Sequence, residues 1–98
     1  MSVRQELYGA EGSLFSLRVT VEAHLLEELL ESLAEAPFPI NPEIQHHAEI
    51  DRGGTIAPAV HVEFPAWQSQ ISILRDLLSR APFPAELAVT RMLEEIRT

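Results

Sequence analysis

The chain contains no cysteine and no lysine. Without cysteine there is no disulfide, no thiolate nucleophile and no thiolate metal site. Without lysine there is no Schiff-base amine and no P-loop cation. All seven cations are arginines, set against fifteen acids for a formal charge of −8. That balance excludes the clustered basic footprint of a nucleic-acid binder. No apolar stretch approaches the ~20 residues that span a bilayer. Met1 to Gly12 lacks a basic start followed by an apolar run, so it does not read as a secretory signal. The expectation is a soluble, cytoplasmic domain with no membrane or nucleic-acid partner and no cofactor.

Catalytic motifs are also missing. There is no nucleophile elbow, no metalloprotease spacing and no glycine-rich phosphate loop; Gly53-Gly54 sits between two alternating runs, not ahead of a helix. At 98 residues the chain makes one domain with a single core, short of a catalytic cleft between two domains.

What the sequence does have is a repeat. Ala36-Pro37-Phe38-Pro39 recurs as Ala81-Pro82-Phe83-Pro84, and each copy closes a leucine-rich segment. Ahead of each copy lies an alternating run, Val19-Thr20-Val21-Glu22 and Val60-His61-Val62-Glu63. Two strand–helix–turn units with slightly different spacers account for both matches. Phe38 and Phe83, each held between prolines, read as plugs at the helix ends.

Residues 1–13 show little periodicity and are expected to form a flexible arm, leaving 14–98 as the domain. Leu14 to Glu22 alternates with period two and reads as a strand with Phe15, Leu17, Val19 and Val21 on one face. From His24 the spacing becomes helical: Leu25, Leu26, Leu29, Leu30 and Leu33 share a stripe opposite Glu27, Glu28, Glu31 and Glu35. Pro37 and Pro39 end that helix. Glu43–Ile50 and Thr55–Phe64 flank Asp51-Arg52-Gly53-Gly54 as a hairpin. Matching their apolar faces predicts pairs summing to 106, with Ile50 opposite Ile56, Ile44 opposite Val62, and a three-residue Arg52-Gly53-Gly54 loop. Pro65 reads as the start of a second helix, with Trp67, Ile71, Leu74, Leu77 and Leu78 as its buried stripe. For the tail the signals divide. The repeat predicts a strand over Glu86–Arg91, whereas Ala85, Ala88, Val89, Met92, Leu93 and Ile96 are spaced for a helix; a strand running into a helical end reconciles them.

The order β-α-β-β-α plus a terminal strand or helix predicts an α+β, ferredoxin-like split βαβ fold. Right-handed crossovers place the third strand between the first and second, with both helices on one face of an antiparallel sheet. Over residues 14–92, this element order and repeat resemble ACT-type regulatory modules. That likeness implies a regulatory module with a small-molecule effector. Many ACT modules carry a glycine where the first strand meets the first helix; this chain has Glu22-Ala23-His24 there.

The open sheet face collects the candidate site. The predicted register puts Glu43 opposite Glu63, a like-charge pair that needs a proton, a cation or Arg18 beside it. It also puts His47 opposite Ala59 with His61 as its diagonal neighbour, and His46 on the helix-covered face. Three functions follow. The leading expectation is a non-enzymatic regulatory or interaction module that self-associates as a homodimer or larger through its sheet and takes a small ligand, with His47, His61, Glu43, Glu63 and Arg18 as ligand or interface residues. The second is a small dimeric enzyme using the His/Glu cluster for acid–base work. The third is a metal-binding protein with His47 and His61 as ligands. The same side chains also make an ordinary solvated face, as His24 makes an ordinary helix-start residue.

Overall fold

The computed structural model describes residues 12–92. Strand β1 (Leu14–Glu22) leads through a 3₁₀ turn (Ala23–Leu25) into helix α1 (Leu26–Leu33). Strands β2 (Glu43–Arg52) and β3 (Thr55–Trp67) follow, then helix α2 (Gln68–Ser79) and strand β4 (Glu86–Arg91). The sheet is antiparallel with order β2-β3-β1-β4. This is the split βαβ, ferredoxin-like fold, with β3 between β1 and β2 as right-handed crossovers require.

The core is the layer between helices and sheet. Leu17, Val19 and Val21 of β1 meet Val60, Val62, Phe64 and Ala66 of β3 under Leu29, Leu33 and Leu74. Period two on the strands and the 3–4 spacing on the helices bring these side chains onto one surface. Phe38 and Phe83 both pack against this cluster, so the two Ala-Pro-Phe-Pro turns perform the same plugging task. The repeat is also visible in the pairing. Thr20 and His61, equivalent in the two halves, stand directly opposite each other, with Val19 opposite Val62 and Val21 opposite Val60. A local two-fold axis therefore passes through the Thr20–His61 pair.

Three expectations need correction. Pro65 does not open the second helix: it sits in β3 opposite Ser16, and the strand runs on to Trp67. Trp67 is the residue before the helix rather than part of its buried stripe, and its N–H bonds the Gln70 side chain at 2.9 Å. That back-bond satisfies a donor that the helix start leaves free.

The hairpin register is right at one end and wrong at the other. Glu43↔Glu63, Ile44↔Val62 and Gln45↔His61 pair as expected, but Ala48↔Ala59, Ile50↔Ala57 and Arg52↔Thr55 are one residue out of step. Between them His46 and His47 together oppose Val60, a β-bulge, with His47 at φ 67°. One extra residue switches which side chains face which side. Ile50 therefore faces away from the helices and does not meet Ile56, which is left 60% exposed. His46, expected beneath the helices, is exposed. The turn is the two-residue Gly53-Gly54, both with positive φ (60° and 92°), as a tight hairpin matching the strand twist requires.

The tail is a strand over Glu86–Arg91, as the repeat predicts; the helical end expected after it lies outside the described residues. Most of the expected N-terminal arm lies outside them too. Its described part, Gly12 and Ser13, is tied to α2 and β4: the Gln68 N–H of α2 donates to the Ser13 carbonyl at 2.7 Å, and Arg91 Nη2 of β4 donates to Ser13 Oγ at 3.0 Å.

Candidate functional site on the open sheet face

The face away from the helices is built in cross-strand rows. One row runs Glu86, Thr20, His61, Gln45; the next runs Ala88, Arg18, Glu63, Glu43. Thr20 Oγ1 lies 2.8 Å from His61 Nδ1. Arg18 Nε donates to Glu63 Oε2 at 2.6 Å. The Arg18 and Glu63 side chains are 50% and 21% exposed, so the pair contributes only about 0.2–1 kcal/mol. Its larger effect is to neutralise Glu63, which stands directly opposite Glu43.

Of the residues singled out in the sequence, Arg18, Glu43, Glu63 and His61 are thus neighbours on adjacent strands. His47 is not part of their row. It occupies the left-handed position of the bulge, and its ring meets that of His46 at 6.5 Å; Ala48 takes the place opposite Ala59. Among the described residues no three of His, Asp and Glu converge as a metal site would require. His24 is a surface residue whose Nε2 lies 3.3 Å from Glu22 Oε1.

The bulge adds residues that period-two reasoning could not place. Past it, Ala48, Ile50 and Arg52 join the open face. Arg52 Nη2 lies 2.7 Å from Glu22 Oε2, which fastens the turn end of the hairpin to the end of β1. Asp51 Oδ1 accepts the Gly54 N–H at 2.9 Å and holds the turn. Where this end of the hairpin meets the second Ala-Pro-Phe-Pro turn there is a pocket of about 90 Å³ lined by Thr20, Ile50, Arg52, Pro84 and Glu86 among others. It has room for a few water-sized groups and offers both a cation and a carboxylate.

No family model matches the chain, and no curated protein matches it. Among solved structures it is similar to that of CPII, a nitrogen regulatory PII-like protein from Thiomonas intermedia K12, bound to ADP, AMP and bicarbonate. The identity is 11%, the match covers 81% of this chain and 89% of that one, and the TM-score is 0.69. At that identity the likeness establishes the fold. Among the described residues no helix is long and apolar enough to cross a membrane.

Proposed function

We propose that the protein is a non-enzymatic regulatory module that self-associates through its open sheet face and takes a small ligand beside the turn end of the β2–β3 hairpin. One observation carries the reading: the polar groups at the centre of the face are already partnered within it. Arg18 is held by Glu63 and Thr20 by His61. Covering such a face leaves no lone buried charge there, which is the usual penalty for burying a polar surface. Glu43 and Glu86, the carboxylates of this face with no ion-pair partner among the described residues, are on edge strands β2 and β4, at the rim. Between the pairs the side chains are small, with Ala48, Ala57, Ala59 and Ala88 on this side of the sheet, so a second copy can approach closely.

The likeness to a PII-like protein solved with ADP, AMP and bicarbonate supports a ligand-binding role. Within one chain the pocket beside Ile50 and Arg52 admits only a small group, with Arg52 as its cation. A ligand of nucleotide size needs walls from a second copy, which ties binding to assembly.

The test is solution mass. Light scattering is expected to give an oligomer without added metal. Ala88→Arg, at an exposed position midway along edge strand β4 and beside Arg18 on the face, is expected to give a monomer with an unchanged melting temperature. A wild-type mass of 11.0 kDa at every concentration would overturn the reading.

A further inference from the structure

The internal repeat carries a pair of equivalent grooves on the helix side of the molecule, away from the sheet face. Each lies between the last turn of a helix and the residues following its Ala-Pro-Phe-Pro turn. The first, about 260 Å³, is lined by Leu30, Leu33, Ala34, Ile40 and Pro42 together with the turn. The second, about 280 Å³, is lined by Arg75, Leu78, Ser79, Ala85 and Leu87. Every residue of the second set stands 45 positions after its counterpart in the first, the same separation as the two turns. The grooves are one structural feature made twice. In each half the phenylalanine of the turn packs against the core, and a trough lies beside the helix end.

Because the fold makes the same demand in both halves, the differences between the grooves are not demanded by the fold. Three positions stay apolar: Leu33 and Leu78, Ile40 and Ala85, Pro42 and Leu87. Two do not. Where the first groove has Leu30 and Ala34, the second has Arg75 and Ser79, one helical turn apart on the same wall.

The state of Arg75 is distinctive. Among the described residues, Arg18 is paired with Glu63, Arg52 with Glu22 and Arg80 with Asp76, and Arg91 bonds Ser13. Among the described residues Arg75 has no such partner, although the chain holds more than twice as many acids as arginines. The adjacent Asp76 is taken by Arg80 at 3.1 Å and does not compete. Ser79 Oγ donates to the Asp76 carbonyl at 2.8 Å, a bond its rotor can exchange for a ligand oxygen.

We propose that the second groove is a binding site for a small carboxylate with a compact apolar body. The carboxylate is held by the Arg75 guanidinium, with Ser79 as second donor, and the body lies on Leu78, Ala85 and Leu87. Guanidinium–carboxylate geometry supplies the selectivity, and the apolar floor supplies most of the burial.

The test uses benzoate and isovalerate as probes, with benzyl alcohol as the uncharged control, followed by amide NMR titration of the full chain. Support is a saturable shift at Leu78, Ala85 and Leu87 with either carboxylate, weakened at least about tenfold in Arg75→Leu, as loss of one charge-assisted bond implies. The paired variant Leu30→Arg/Ala34→Ser is expected to create binding beside Leu33 and Ile40, where the wild type shows none. Absence of saturable shifts with both carboxylates overturns the proposal, as does equal binding of benzyl alcohol or undiminished binding by Arg75→Leu. Neither groove lies on the sheet face, so these outcomes are independent of the assembly state.

Discussion

Deleting His47 should leave the protein folded and make it more stable. The bulge is a single inserted residue: Gln45 pairs with His61 on one side of it and Ala48 with Ala59 on the other. Removing His47 lets His46 oppose Val60 alone and preserves every pair beyond it in both directions. The same side chains then stay on the same faces, and the Gly53-Gly54 turn is untouched. Two costs vanish with the residue. A non-glycine side chain at φ 67° gives up about 1–2 kcal/mol against a right-handed conformation, although histidine tolerates it better than most. Ordering one backbone residue costs a further ~1–2 kcal/mol. The lost contacts are small, since His47 is exposed and its described ring neighbour is His46. Allowing for a less relaxed twist at the joint, the net gain should be about 1–3 kcal/mol. Urea denaturation with an unchanged m-value measures it, and cross-strand amide contacts for Ile44–Val62 and Ala48–Ala59 verify the register. His47→Gly keeps the bulge and relieves only the dihedral, partly offset by about 0.5–1 kcal/mol of glycine entropy, so it should be neutral to mildly stabilising. A His47 deletion that lost more than ~1 kcal/mol would refute the reasoning. It would mean that the sheet needs the bulge's extra twist to pack.

Gly12→Ala should destabilise by about 1–3 kcal/mol in a thermal or urea melt, because φ there is 79° and an added Cβ would sit 2.6 Å from Gln68 Oε1. Moving Gln68 aside also costs its bond to the Ser13 N–H. Leu29→Ala and Leu74→Ala, at fully buried positions, should each cost about 2–5 kcal/mol, while Glu28→Ala on the exposed face of α1 should stay within ~0.5 kcal/mol. A larger loss at Glu28 than at Leu29 would show that the buried face of α1 is misassigned.

The fold was legible because its largest signals are local and doubled. Val19 and Val21, then Leu29 and Leu33, change period from two to about 3.6 within a few residues, and the second half repeats the change. The repeat also decided the tail: Ala88, Met92 and neighbouring residues are spaced for a helix, but Glu86 stands after the second turn as Glu43 stands after the first, and both begin strands. Pro65 misled because proline is at home both at a helix start and wherever its missing N–H is not needed in a ladder. Here β3 runs through it to Trp67, and the helix gains its first-turn satisfaction from the Ser13 carbonyl and the Gln70 side chain instead.

The site was legible only up to the bulge, and the reason is parity. Arg18, Thr20, Glu43, His61 and Glu63 all lie where uninterrupted alternation puts them, so face and opposite partner follow from residue number alone. His46-His47 gives no warning: neither is glycine, and nothing in the pair distinguishes a left-handed histidine from an extended one. A one-residue insertion there is nevertheless enough to exchange the faces of everything out to the turn. It moves Ile50 from the core to the open face and brings Arg52 onto Glu22. The pocket near the hairpin turn exists because of that exchange, since Ile50 and Arg52 line it from the side that simple alternation assigns to other residues. The grooves of the two halves pose the opposite case. Their residues are all visible in the sequence, and the 45-residue spacing aligns them, but only the turn geometry reveals that these particular positions share a trough. Once aligned, the exchange of Leu30 for Arg75 and Ala34 for Ser79 marks where the two halves, alike in fold, were free to differ in chemistry.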